Sequence, residues 1–212
     1  MVIVDVLRAF TTTAMALTRG ARKIVFTAEV AEALELRRRG IGDLCIGEVG
    51  GKRPPGFDYG NSPSELSRAE LDGRTLIQST RAGTVGVIAA SQAEQLFVAA
   101  LVNAAATAAA VMRERPALVT IVAMGLEART RSDEDELCAL YIRNLCEGRQ
   151  PDPDAVRRLV LASKEAQKFG DPARPHFPAE DLEIALQIDS LPIVMRVIRK
   201  NGLLVAQRED GH

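Results

Sequence analysis

Three observations predict a layered α/β/α fold for this chain. Strand-length apolar runs alternate with helix-length amphipathic ones, the pattern echoes itself about 72 residues later, and a hairpin signal stands near the end. The predicted sheet is mostly parallel, with two similar halves and a C-terminal hairpin. All 212 residues are read as one α/β domain, with internal halves of about 1–73 and 74–212.

Val2 to Val4 is a short apolar strand followed by Asp5-Val6-Leu7-Arg8-Ala9. A helix begins near Phe10 to Thr12, runs to Arg19 and stops at Gly20. Ile24 to Thr27 is a strand, and Val30 to Arg39 an amphipathic helix whose Arg37-Arg38-Arg39 end suits the helix dipole. Leu44 to Gly47 is a buried strand ending at Glu48, and a Gly/Pro-rich loop leads to a short helix over Pro63 to Ala69. Thr75 to Ser79 is a strand, a helix opens at Gly83 or Thr84, Leu96 to Ala99 is a strand, and Asn103 to Arg113 an Ala-rich helix. Val119 to Ala123 is the last strand of the alternation. Asp133 to Glu147, Asp154 to Lys168 and Glu180 to Ile188 are helices, with a Pro-rich loop over Gly170 to Pro178. Ile193 to Val197 and Leu203 to Val205 flank the turn Lys200-Asn201-Gly202.

Arg8-Ala9-Phe10-Thr11 recurs as Arg81-Ala82-Gly83-Thr84 at an offset of 73, each after an apolar strand and at a helix start. Ala21-Arg22-Lys23-Ile24-Val25 recurs as Ala93-Glu94-Gln95-Leu96-Phe97 at an offset of 72. The shared register of these segments favours a duplication over chance matching of common residues. Parallel α/β sheets bind ligands at the carboxyl ends of their strands. Asp5, Arg8 and Thr11 follow the first strand, Glu48 and Asp58 the third, Ser79, Thr80 and Arg81 the first strand of the second half, and residues 125–131 the last. These loops are expected on one edge.

Composition narrows the classes. The net charge of −1, 4% aromatic residues and absence of Trp argue against a nucleic-acid partner. No apolar run approaches the ~20 residues of a membrane span, and the start lacks the features of a signal peptide. Cys45, Cys138 and Cys146 have no CxxC spacing and read as structural thiols of a reducing, cytoplasmic compartment. His176 and His212 are the only histidines, too few for a His-rich zinc site or a Ser-His-Asp triad.

Gly56-Phe57-Asp58-Tyr59-Gly60-Asn61-Ser62-Pro63 carries the most chemistry. Ser62 is a candidate N-cap, Pro63 fits the first helical position and Glu65 completes a capping box. The loop thus delivers a carboxylate and an amide to a helix mouth, where anions bind. An ordinary capped turn accounts for the same residues. Phosphate-ester hydrolysis needs the phosphoryl oxygens neutralised and a nucleophile aimed at phosphorus. Arg8 and Arg81 are the candidate clamps on those oxygens. Thr11, Thr12, Asn61, Ser79, Thr80, Gly83 and Thr84 are candidate substrate contacts through hydroxyl, amide or backbone groups. Asp5, Glu48, Asp58, Glu134 and Asp135 are candidate oxygen ligands for Mg²⁺, with Asp5, Arg8, Glu48 and Asp58 as the catalytic set. Helix capping and first-turn acidity explain several of these one at a time.

With the Asp5–Ala9 segment, Gly47-Glu48, the Gly56–Pro63 run and Glu134-Asp135-Glu136-Leu137-Cys138-Ala139, the chain resembles the 2-phosphosulfolactate phosphatase family nearly end to end, including Asp181-Leu182-Glu183 to Asp189. The resemblance implies an α/β/α fold, Mg²⁺ as cofactor, and a small anionic phospho-acid converted to sulfolactate and phosphate on a route to coenzyme M. Val49 stands where the family has Arg after Gly-Glu, Ala82 where it has Asn, and no Ser-x-His-Gly is recognisable in residues 171–178. These departures keep a second reading open, a non-catalytic α/β module that binds an anionic metabolite. A sugar-phosphate isomerase-like domain is a third, suggested by the Thr-rich helix mouths alone. Assembly into a homo-oligomer stays open.

Overall fold

The computed structural model describes residues 1–210, and His212 lies outside them. Eight strands form one sheet: β1 (Val2–Val4), β2 (Lys23–Thr27), β3 (Leu44–Gly47), β4 (Thr75–Ser79), β5 (Leu96–Ala99), β6 (Ile121–Ala123), β7 (Ile193–Lys200) and β8 (Leu203–Asp210). The helices are α1 (Ala9–Thr18), α2 (Val30–Arg38), α3 (Pro63–Ser67), α4 (Gly83–Ala89), α5 (Ala104–Arg113), α6 (Asp133–Cys146), α7 (Pro153–Leu161) and α8 (Ala179–Ala185).

The strand order is β3-β4-β2-β8-β7-β5-β1-β6. Four of the seven pairings are parallel, and the C-terminal hairpin β7–β8 sits at the centre. Exchanging β1 with β4, β2 with β5, β3 with β6 and β7 with β8 returns the same order read from the other end. Each half therefore places its first strand between the other half's second and third. The Arg-Ala-x-Thr segments accordingly sit at equivalent places, just after β1 and β4.

Three antiparallel steps separate β2 from β5, so the parallel trios β3-β4-β2 and β5-β1-β6 run in opposite directions. In a flat sheet their carboxyl ends would face opposite edges. Strand twist accumulates in one direction, however, and open sheets of this width curl. Helix α4 packs against both β2 and β1, which stand four places apart, and the two trios therefore wrap around the same helices. The enclosed core joins Ile3, Ile24, Phe26, Leu76, Val98 and Met195 of the strands to Phe10, Ala14 and Leu17 of α1 and Val87 of α4. Outside the curl, α5, α6 and α7 cover one trio, and α2 covers the other through Ala33 and Leu36. Helices therefore lie both inside and outside a curled, mixed sheet.

Gly47, at the end of β3, shows how tightly the layers meet. Its φ is +144°, and a Cβ there would lie 1.8 Å from the Ser79 carbonyl oxygen. Only glycine fits this approach.

The sequence reading misplaces two segments. Residues 154–168 are not one helix: α7 ends at Leu161, and Ser163 Oγ accepts from Ala166 N to start a separate 3₁₀ turn over Ala166–Lys168. The hairpin strands run to Lys200 and Asp210 rather than stopping at the last apolar residues.

Candidate functional site

Loops from both trios line one cavity of about 430 Å³. Asp5, Leu7 and Arg8 come from the end of β1, Glu48 to Gly51 flank β3, Thr80 to Ala82 follow β4, and residues 125–127 follow β6. Glu134 and Asp135, in the first turn of α6, add two carboxyls, and residues 165–177 close one side.

Asp5 is fixed by the turn it caps. Its Oδ1 accepts from Ala9 N at 2.9 Å, and the Gly83 backbone nearby also favours its charged form. Asp135 spans two loops, with Oδ1 accepting from Val6 N (2.7 Å) and Oδ2 from Gly125 N (2.8 Å). Burial raises the Asp5 carboxyl to about 6, and the Glu48 charge pushes the same way. Burial raises Glu134 to about 7, with Glu165 and Asp5 adding repulsion. Asp135 is raised by burial and by the charges of Asp5 and Glu134. Three carboxyls thus crowd one wall and repel one another. Glu134 Oε2 is buried and has no hydrogen-bond partner among the described residues.

Glu48 faces the same space but is committed to backbone. Its Oε2 accepts from Gly51 N at 2.7 Å and its Oε1 from Arg81 N at 2.8 Å, tying the loop after β3 to the loop after β4. Gly51 has φ +79°, and a Cβ on it would come within 2.5 Å of the Phe177 ring. Arg81 is exposed at the rim, with no ion pair among the described residues.

Arg8 lies in the wall, 3% exposed. Its Nη1 donates to Asp181 Oδ2 (2.7 Å) and to the His176 carbonyl (2.9 Å), and Nη2 donates to the Gly51 carbonyl (3.3 Å). The Phe177 and Phe169 rings lie 4.7 and 5.7 Å from its Cζ. Burial and the positive charges of Lys52, Arg8 and Arg174 lower the His176 imidazole, favouring its neutral form.

The structure brings Asp5, Arg8, Glu48, Asn61, Thr80, Arg81, Glu134 and Asp135 to this cavity. Gly83 packs beside Asp5, where a Cβ on it would lie 2.9 Å from Asp5 Oδ2. Asn61 Oδ1 is buried without a partner, which leaves an acceptor at the wall. The remaining candidates are not brought there. Asp58 turns away: its Oδ2 accepts from Arg37 Nη1 and from Cys45 N, both at 2.7 Å, so it seals the outer edge of β3. Thr11 donates to the Val6 carbonyl, and Thr84 donates to the Thr80 carbonyl and accepts from Thr80 N. Thr12 is buried in α1, and Ser79 is paired in the sheet with Gly47. The capping box at α3 is half formed. Glu65 N donates to Ser62 Oγ, but the Glu65 carboxylate accepts from Gly60 N instead of Ser62 N.

Glu165, Lys168, Arg174, His176 and Phe177 line the cavity without having been singled out. For Arg174, His176 and Phe177 the only sequence signal is the Pro-rich loop that carries them, and Glu165 and Lys168 read as helix residues. Asp181 was also missed as a site residue, being 173 positions from its partner Arg8.

Mg²⁺ takes one or two carboxylates and keeps several waters and substrate oxygens. The unpartnered Glu134 Oε2, beside Asp5, offers such an open site. No closed set of three or more His, Cys, Asp or Glu ligands occurs among the described residues. The five candidate carboxylates are not all gathered at this cavity. Asp58 is absent from it, and Glu48 and Asp135 have both oxygens engaged by backbone N–H groups.

The sequence profile of the 2-phosphosulpholactate phosphatase family matches residues 1–200. A probable 2-phosphosulfolactate phosphatase of Thermoplasma acidophilum is 31% identical over 197 residues, covering 93% of this chain and 85% of that protein. One of Bacillus subtilis is 31% identical over 200 residues, covering 92% and 86%. One of Deinococcus radiodurans is 38% identical over 133 residues, covering 62% and 55%. With a match along nearly its whole length and a carboxylate-lined cavity where the two strand trios meet, the chain belongs to the 2-phosphosulfolactate phosphatase family.

Proposed function

We propose that this chain hydrolyses the phosphate monoester of a small, strongly anionic phospho-acid, with Mg²⁺ at the Asp5–Glu134 wall. By the name its relatives carry, the substrate is 2-phosphosulfolactate and the products are sulfolactate and phosphate. The observation that carries the reading is the cluster of Asp5, Glu134 and Asp135 with Glu134 Oε2 unpartnered, in a cavity that also holds Arg8 and Arg81. Like charges at that spacing are unfavourable unless a cation or a proton offsets them. A bound Mg²⁺ would screen the phosphoryl oxygens and lower the pKa of an attacking water.

The residues supply the rest. Arg81, unpaired at the rim, is placed to meet an incoming anion, and its planar fork engages two oxygens at once. Arg8 offers the N–H groups its wall partners leave unused. Glu48 holds the Gly51 and Arg81 loops together, so both sides of the cavity keep one spacing. Asn61 contributes its free acceptor to a hydroxyl of the ligand, such as the one uncovered when the phosphoryl group leaves. The mirrored strand order supports reading the whole chain as one duplicated domain, with halves of about 1–73 and 74–212 sharing this cavity.

Phosphate release from a panel of phospho-acids, with and without Mg²⁺, tests the proposal. Mg²⁺-dependent turnover that favours substrates with a second acidic group supports it. Tight binding of the same compounds without release would favour the non-catalytic reading, in which Val49 and Ala82 mark lost contacts.

A further inference from the structure

We propose that Asp181 is a positioning residue that locks the Arg8 guanidinium and so fixes which of its N–H groups face the cavity. What those groups hold rests on the phosphatase reading; how they are held does not. Asp181 is fully buried in the first turn of α8. Its Oδ2 accepts from Arg8 Nη1 at 2.7 Å. Its Oδ1 accepts from Ser62 Oγ (2.7 Å), Ser64 N (2.9 Å) and Ser64 Oγ (2.6 Å). One carboxylate therefore joins the entry to α1, the mouth of α3 and the start of α8. The Asn61-Ser62-Pro63-Ser64 stretch then has a purpose beyond capping: its hydroxyls orient the carboxylate that orients the arginine.

Counting donors shows what is left for a ligand. A guanidinium has five N–H groups. Nη1 uses both of its own on Asp181 and the His176 carbonyl, and Nη2 uses one on the Gly51 carbonyl. Nε–H and one Nη2–H remain. Because Asp181 neutralises its charge, Arg8 serves the cavity as two directed donors rather than as a loose cation, and Phe177 and Phe169 keep its plane from turning.

Asp181→Asn separates orientation from charge. The Ser64 N–H cannot become an acceptor, so the new amide must keep its oxygen toward Ser64 and turn its NH₂ toward Arg8. The guanidinium then loses a partner and gains net charge. If Asp181 positions Arg8, inorganic phosphate binds ~10–100-fold more weakly to Asp181→Asn by calorimetry, despite that gain in positive charge. In arginine side-chain nitrogen NMR, the hindered Arg8 rotation of the wild type, with separate Nη signals, becomes fast. Unchanged or tighter phosphate binding, or an Arg8 signal that stays rigid, overturns the proposal. If Asp181→Asn does not fold, Ser64→Ala carries the test, with a ~2–10-fold loss expected and unchanged values overturning it. If the wild type neither binds phosphate nor releases it, the phosphatase reading fails, and the NMR comparison alone decides whether Asp181 holds Arg8.

Discussion

Replacing Asp5 by Asn should change the pH dependence of stability in the way that a buried carboxyl facing other carboxylates requires. The folded protein raises the Asp5 carboxyl from 3.8 to about 6. A group whose folded pKa is raised favours the native state fully below its unfolded pKa, and that contribution is lost as pH climbs through the folded pKa. Wild-type stability should therefore fall between about pH 4 and pH 6 by ~3 kcal/mol from Asp5 alone, about two pKa units at ~1.4 kcal/mol each. Asn does not titrate. Its amide is a poorer match than a carboxylate for the Ala9 N–H and the neighbouring Gly83 backbone, at a cost of ~1–3 kcal/mol that does not vary with pH. Asp5→Asn should thus be less stable than wild type at pH 4, and should recover by ~3 kcal/mol at pH 8, or ~6–12 °C in melting temperature. Scanning calorimetry of both proteins without metal at the two pH values reads this directly. Saturating Mg²⁺ should shrink the recovery, because it favours the charged wild-type wall. Parallel pH profiles for the two proteins would refute the raised Asp5 pKa.

Other positions separate scaffold from site. Asp58→Ala should cost ~1–3 kcal/mol in denaturant unfolding, because it strips Arg37 and the Cys45 N–H of their partner, and leave kcat/KM unchanged; a collapse of turnover in the folded variant would return Asp58 to the active site. Gly47→Ala should destabilise by ~3 kcal/mol or more, or fail to fold, given the backbone clash with Ser79, and near-wild-type melting would contradict the close approach of β3 and β4. Arg81→Lys should lower kcat/KM about 10–100-fold at unchanged stability, since Lys keeps the charge but not the fork; equal kcat/KM would remove Arg81 from anion recognition.

Much of the fold is legible in the sequence because each strand is a short apolar run closed by a polar or small residue, as in Val2 to Val4 and Thr75 to Ser79. The hairpin is longer than it reads because Ile198, Arg199 and Lys200 are exposed on β7, where water tolerates charge but the backbone ladder continues. The opposed directions of the two trios are not legible, since the strand order depends on where β7 and β8 insert. At the site, turn chemistry tells that Asp58 and Ser62 flank a helix mouth but not which way each side chain faces. Asp58 faces Arg37, and Ser62 faces Asp181. Arg8 is found from its repeat position, whereas its partner Asp181 is set by tertiary packing and carries no local signal. The carboxylates Asp5, Glu134 and Asp135 are legible as types, and their elevated pKa values come from burial that only the folded chain supplies.

In the proposed function, Mg²⁺-dependent phosphate release is assigned to the Asp5–Glu134 wall. Steady-state hydrolysis of 2-phosphosulfolactate, assayed in parallel for the wild type, Asp5→Asn and Glu134→Gln after chelation and again after Mg²⁺ addition, tests it most directly. Phosphate release by the wild type is expected only once Mg²⁺ is restored, with a loss of at least ~100-fold in kcat/KM for each folded variant. Metal-independent turnover, or full activity in either variant, would contradict it.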